Sequence, residues 1–113
     1  MSKYAAIISR LEAATGPNYE IECSIHEMCG EQRPIIPSPY TASLEAAIAL
    51  VERMLPGWRK SVGENLHHGY WQGRVYRFQD DDIFERYGHH DTAPAIALLL
   101  AMFRALEAQE VQS

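Results

Sequence analysis

Histidines are the residues of this sequence best suited to metal binding or acid–base chemistry, and four of the five occur as the adjacent pairs His67-His68 and His89-His90. Adjacent side chains on an extended chain point to opposite sides, so each pair supplies one ligand to a common point. One arrangement would combine His68, His90, Asp91 and one of Asp80 to Asp82. Because no HxxxH, HxH or HExxH spacing fixes such a geometry, we expect solvated loop histidines and no bound metal.

Other catalytic patterns are missing from the sequence. The run Asp80-Asp81-Asp82 lacks the alternate acids and the glycine of a calcium loop, so it predicts a charged turn at the end of a strand. No serine lies in a GxSxG motif, and neither cysteine has a cationic neighbour in sequence. The seven glycines form no phosphate-binding loop. The sequence therefore predicts a protein that is not an enzyme and has no cofactor.

Basic and aromatic residues alternate in one part of the chain and suggest a second kind of site. Cations beside exposed rings can hold a single nucleic-acid strand through phosphate pairing and base stacking. The residues of this candidate nucleic-acid contact are Arg59, Lys60, Trp71, Arg74, Tyr76 and Arg77. The alternative is a sheet with core tryptophans and ordinary edge arginines, because the spacing matches no ribonucleoprotein motif.

Composition indicates one globular domain over residues 1–113. Apolar residues make up 47% and charged residues 22%, and the formal net charge of −5 disfavours sequence-independent binding to nucleic acid or to an anionic membrane. The apolar stretch Ala93 to Phe103 is too short to span a bilayer. The N-terminus does not resemble a signal peptide, and the two cysteines form no CxxC pair. We expect a cytoplasmic protein that makes no membrane contact.

Hydrophobic periodicity predicts helices before the aromatic segment. The first covers Lys3 to Thr15, and the second covers Asn18 to Cys29, where alternating apolar residues also allow a strand. Residues 30–40 form a proline-rich connector, whose two isoleucines are expected to lie against the core. Thr41 is predicted to cap a third helix, which Pro56-Gly57 ends.

Strands and a final helix follow. Trp58 to Val62 and Tyr70 to Gln79 are predicted to form an antiparallel pair around a turn at residues 63–65, with both faces covered. Residues 80–91 are predicted to be polar and turn-forming, with a helical turn at Ile83 to Tyr87. Thr92 is expected to cap the last helix, whose apolar surface is wider than one core contact needs. That helix is therefore either central in the fold or half of a homodimer interface.

These elements predict an α+β fold, with three to four helices packed around a small antiparallel sheet of two to three strands, similar to an α/β/α sandwich.

The chain resembles a family of short bacteriophage and prophage proteins, those with the phage ABA sandwich domain. The resemblance lies in four stretches: Tyr4 to Pro17, Pro39 to Val51, Gly57-Trp58-Arg59 and Thr92 to Arg104. It implies helices around a small sheet and a gene in phage or prophage regions of bacterial genomes, and it supplies no catalytic residues. Residues 67–87 depart from the family pattern.

We therefore expect a non-enzymatic accessory protein of phage or prophage origin in the cytoplasm of a bacterial host. It is expected to act through protein contacts, with a homodimer through the last helix. The alternatives are weak single-stranded nucleic-acid binding through the aromatic and basic strands and a metal-dependent enzyme that uses the paired histidines.

Overall fold

A computed structural model describes residues 2–29 and 37–112 as three helices, a three-stranded sheet and a final helix. The helices are α1 (Ala5–Ala13), α2 (Tyr19–Met28), α3 (Leu44–Met54) and α4 (Pro94–Gln112). The strands are β1 (Arg59–Asn65), β2 (Tyr70–Gln79) and β3 (Asp82–His90), which form an antiparallel sheet in the order β1-β2-β3. The predicted α+β class is confirmed.

Local capping explains where the second and third helices begin. The Asn18 side chain accepts a hydrogen bond from the backbone N–H of Ile21, so residues 19–28 form a helix and the strand alternative is wrong. Ser43, and not Thr41 as predicted, caps α3 by accepting from the N–H of Ala46. The proline-rich connector and its two isoleucines at positions 35 and 36 lie outside the described residues.

Thr41 instead joins the start of α2 to the segment before α3. Its hydroxyl lies 2.6 Å from the Oε2 atom of Glu22, and its backbone N–H donates to the same oxygen over 3.1 Å. The hydroxyl oxygen also accepts from the N–H of Asn18 over 2.8 Å. Glu22 is only 7% exposed and Thr41 only 1%, so these bonds replace the water that the carboxylate loses on burial.

We expect Thr41→Val to lower the free energy of unfolding by about 2 kcal/mol, because a buried carboxylate loses its hydroxyl donor while the side-chain volume is kept. Urea denaturation followed by tryptophan fluorescence measures the change. Thr15→Val is the matched control at an exposed threonine and should change stability by less than about 0.5 kcal/mol. Equal losses in both variants would contradict the role given to Thr41.

The sheet differs from the prediction in two places. Residues 63–65 belong to β1, and the turn lies at residues 66–69, where Gly69 has a φ of 74°. Residues 82–90 form a third strand and not a helical turn. Gln79 pairs with Asp82, which leaves Asp80 and Asp81 as a tight two-residue turn, with Asp80 at a φ of 55°. The prediction of a charged turn at the end of a strand is confirmed for Asp80 and Asp81, whereas Asp82 is the first residue of β3.

Helix α4 is the centre of the fold. Every residue from Ala95 to Phe103 is at most 2% exposed, with the sheet on one side of the helix and α1 and α3 packed elsewhere around it. The wide apolar surface of this helix is therefore covered by other elements of the same chain. It gives no support to a dimer through this helix. Among the described residues, no helix combines the length and apolar character that crossing a bilayer requires.

Two glycines allow α4 to lie close to the sheet. Gly73 of β2 and Gly88 of β3 are direct partners in the register, and both face the helix. A Cβ atom added to Gly73 would lie 2.6 Å from the carbonyl oxygen of Ala97 and from the Cα atom of Leu98. One added to Gly88 would be closer still to the same oxygen, and 2.7 Å from the amide nitrogen of Ala101. Helix and sheet thus meet backbone to backbone at this point.

Candidate binding surface on the open face of the sheet

The two faces of the sheet have different neighbours. Gly73 faces α4, so strand alternation places every second residue of each strand on that side, which we call the covered face. The opposite side, which we call the open face, is built from thirteen residues fixed by the register. They are Arg59, Ser61, Gly63, Asn65, Tyr70, Gln72, Arg74, Tyr76, Phe78, Ile83, Glu85, Tyr87 and His89.

The open face is rich in exposed aromatic and aliphatic side chains. Phe78 is 59% exposed, Ile83 51% and Tyr87 36%. The rings of Tyr76 and Phe78 meet edge to face with their centroids 6.0 Å apart. Large apolar side chains normally lie inside a fold, and several of them on one uncovered face are typical of interaction surfaces. The prediction that both faces of the sheet are covered is therefore wrong for the part of the chain that the structure describes.

Arginine side chains lie over two of these rings. The guanidinium of Arg74 is 4.0 Å from the ring centroid of Tyr76, and that of Arg59 is 5.5 Å from that of Phe78. Arg74 also donates from Nε and Nη2 to Oε2 of Glu85, over 2.9 Å for Nε. This hydrogen bond lowers the pKa of Glu85 and raises the pKa of Arg74, so both groups are charged at neutral pH.

A shallow trough follows β1 on the open face. Its floor contains Ser61, whose side chain is small, and Gly63, which has none, and both leave space beside the larger Gln72 and Arg74 of β2. Leu66, which is 83% exposed, borders the trough at the turn between β1 and β2. The trough has a volume of about 560 Å³ and is open to solvent along its length. It can accept a bulky side chain of a partner, but it does not enclose a substrate.

The six residues of the predicted nucleic-acid contact do not share one surface. Arg59, Arg74 and Tyr76 lie on the open face, while the other three lie on the covered face: Lys60, Trp71 and Arg77. The ammonium of Lys60 is 3.2 Å from a carboxylate oxygen of Glu52, and Arg77 lies 5.1 Å from the ring of Trp58. With Arg74 paired to Glu85, little cationic charge remains on the open face for phosphates.

His89 and His90 lie in β3, so the prediction that they are solvated loop residues is wrong. His89 lies on the open face with its ring 4.8 Å from that of Tyr70, whereas His90 faces the other way and is 8% exposed. The Nδ1 atom of His90 accepts from the backbone N–H groups of Thr92 and Ala93 over 3.1 and 2.9 Å. Its Nε2 atom donates to the carbonyl oxygen of Ala14 over 2.7 Å.

This arrangement uses both ring nitrogens of His90. Nδ1 must carry a lone pair to accept two N–H groups, so Nε2 carries the proton and no lone pair is left for a metal. Within the described ranges 2–29 and 37–112, no three histidine, cysteine, aspartate or glutamate side chains come together as a metal site. His90 instead joins the end of α1 to the start of α4, and Thr92, predicted as a helix cap, donates its hydroxyl to the carbonyl of Thr15.

Sequence reasoning missed the part of the open face that β3 supplies. Ile83, Tyr87 and His89 lie in the segment 80–91, which the sequence predicts to be polar and turn-forming. The signal that could have found this strand is the alternation of Ile83, Glu85 and Tyr87 after a two-residue Asp-Asp turn. A strand beginning there adds exposed apolar side chains beside those of β2.

Comparisons with known proteins give no assignment for this chain: no protein-family model, curated protein or solved structure matches it. The resemblance to the phage ABA sandwich domain therefore stays a prediction from the sequence.

Proposed function

We propose that this chain is a non-enzymatic binding protein that contacts another protein through the open face of its sheet. The observation that supports this proposal is that Phe78, Ile83 and Tyr87 are exposed on the open face. On the same face the guanidinium groups of Arg59 and Arg74 lie over the rings of Phe78 and Tyr76. Tyrosine, phenylalanine and arginine are enriched in the cores of protein interfaces, where rings contribute large contact areas with little loss of conformational entropy.

Charge favours a protein over a nucleic acid as the partner. Each phosphate contact requires a cation that is not already paired, and nonspecific binding needs several such contacts. Arg74 is bound to Glu85 and Lys60 to Glu52, and the whole chain has a net charge of −5. The proposal places the protein in the cytoplasm of a bacterial host as an accessory protein of phage or prophage origin, and this part rests on the sequence resemblance alone.

A photocrosslinking experiment tests the proposal. The photoreactive residue p-benzoylphenylalanine replaces Tyr87 on the open face or, as a matched control, Tyr19 on α2, which is also exposed at 62%. In host cells, irradiation should give discrete adducts at position 87 that protease removes and nuclease does not, and none of them at position 19. Phe78→Ser in the same chain should abolish the adducts, because it removes a ring from the contact.

Two outcomes would contradict the proposal. Adducts of the same mass at both positions would show that the open face is not selective. Saturable binding of a fluorescein-labelled oligothymidine to the pure protein, together with loss of this binding in Arg59→Ala, would show that the protein binds nucleic acid.

A further inference from the structure

The sheet has two edge strands, β1 and β3, and among the described residues side chains block the outer edge of β3. On β3, Nη1 of Arg104 donates to the carbonyl oxygen of Tyr87 over 2.8 Å, and Nη1 of Arg86 donates to that of Glu85 over 2.7 Å. Side chains thus occupy carbonyls that a further strand would need. Blocking an edge with charged side chains is a common way to prevent pairing with another chain.

The outer edge of β1 is not blocked in this way. The carbonyls of Glu85 and Tyr87 point away from β2, so these two residues do not form backbone hydrogen bonds with their register partners. Those partners, Tyr76 and Arg74 on β2, direct their backbone groups toward β1 instead. The same alternation on β1 leaves the N–H and C=O groups of Lys60, Val62 and Glu64 on the outer edge. No residue that the structure describes makes a hydrogen bond to these groups. Within residues 2–29 and 37–112, this edge therefore has a row of unpaired donors and acceptors that an extended backbone could use.

We propose that β1 pairs with β1 of a second copy of this chain, antiparallel and centred on Val62, to form a continuous six-stranded sheet. In this register Lys60 lies opposite Glu64 of the second copy, and Val62 lies opposite Val62 of the second copy. Ser61 lies opposite Gly63, so no bulky side chains meet on the open face. Two opposite-charge pairs and one apolar pair form, and the outward backbone groups give about six hydrogen bonds.

Other registers and the other edge fit a second copy less well. Pairing centred on Ser61 would place Lys60 opposite Val62 of the second copy, and pairing centred on Gly63 would place Glu64 opposite Val62. Both registers lose the two pairs between Lys60 and Glu64. Pairing of two β3 strands about their midpoint would bring Arg86 against its own copy. The salt bridge between Lys60 and Glu52 does not oppose the pairing, since an ammonium has three donors.

The dimer would join two open faces into one platform and would give it two-fold symmetry. It does not depend on the partner proposed for the open face. It also replaces the last helix as the route to a homodimer, because β1 has unpaired polar groups at its edge while α4 is covered within the chain.

Charge reversal at two positions tests this pairing. Sedimentation of the wild-type protein should show a dimer of two 12.8 kDa chains. Lys60→Glu and Glu64→Lys should each raise the dissociation constant at least about tenfold, because both cross-strand pairs become like-charged. An equimolar mixture of the two variants should form a heterodimer, since the two glutamates of the Lys60→Glu chain then face the two lysines of the Glu64→Lys chain. A monomeric wild type, or a mixture that stays monomeric, would overturn the proposal.

Two further measurements separate this edge from other surfaces. Tyr87→Ser should leave the dimer intact, because Tyr87 lies on β3, and dissociation in this variant would place the contact on the open face instead. Hydrogen exchange of the Lys60, Val62 and Glu64 amides should be slow in the wild type and fast in Glu64→Lys. Equal exchange in the two proteins would overturn the proposal. Circular dichroism checks that the variants are folded. Because Glu64 is exposed, its replacement should leave the core unchanged.

Discussion

Gly88→Ala is expected to destabilise the protein by about 3 kcal/mol or more, a large fraction of the roughly 5–15 kcal/mol that a domain of this size usually has. The added methyl group would overlap the backbone of α4 at Ala97 and Ala101, and backbone atoms of a buried helix cannot rotate away. Relief requires α4 to move off the sheet, which would open the contacts of Leu98 and Leu100. Urea denaturation followed by circular dichroism measures the loss.

Gly63→Ala is the matched control for this prediction. Gly63 also lies in a strand, but a Cβ atom there would have no neighbour within 4 Å. The change should alter stability by no more than about 0.5 kcal/mol. Gly73→Ala should resemble Gly88→Ala, since its Cβ atom would also meet the α4 backbone at 2.6 Å. If all three alanine variants were equally stable, the close approach of α4 to the sheet would be wrong.

His90→Phe should lower the free energy of unfolding by about 3 kcal/mol, because it keeps the ring volume but removes three hydrogen bonds. The N–H groups of Thr92 and Ala93 and the carbonyl of Ala14 would lose their partner. His90→Asn should recover part of the loss, since the asparagine oxygen can replace Nδ1 as the acceptor. Thermal and urea unfolding of the three proteins should give decreasing stability in the order wild type, Asn variant, Phe variant.

The adjacent histidine provides the control. His89 lies on the open face and is exposed, so His89→Phe should change stability by less than about 0.5 kcal/mol. A similar loss at both positions would mean that the hydrogen bonds of His90 contribute nothing specific. Asn and Phe variants of equal stability at position 90 would rule out the acceptor role of Nδ1.

The helices could be predicted from the sequence because their signals are local. Apolar spacing and the Pro56-Gly57 stop are enough to place α3, and the uninterrupted apolar run is enough for α4. The predicted helix caps Thr41 and Thr92 are wrong because a threonine hydroxyl can bond to partners other than the N–H groups of the next helix. Thr41 bonds to Glu22, which is distant in sequence, so no local rule could have indicated it. The same long-range bond fixes α2 against the segment that precedes α3.

The sheet surface is harder to predict, because the side chains that share one face depend on which strands pair and in which register. The alternation of side chains along β2 puts Arg74 and Tyr76 on the side opposite Trp71, and this much follows from the sequence once the strand is recognised. The sequence could not show that α4 covers one side alone, since coverage depends on where the chain returns in space. Nor could it show that Glu85 neutralises Arg74, because β3 was not recognised as a strand.

The position of α4 has a consequence for how the protein folds during synthesis. This helix lies at the centre of the core, yet the ribosome produces it after all the other described elements. Helices α1 to α3 and the sheet thus have no central packing partner until Phe103 has left the exit tunnel. The elements that precede α4 should therefore stay loosely organised until that helix is available and then condense quickly. In the interval the aromatic side chains of the covered face are exposed to chaperones.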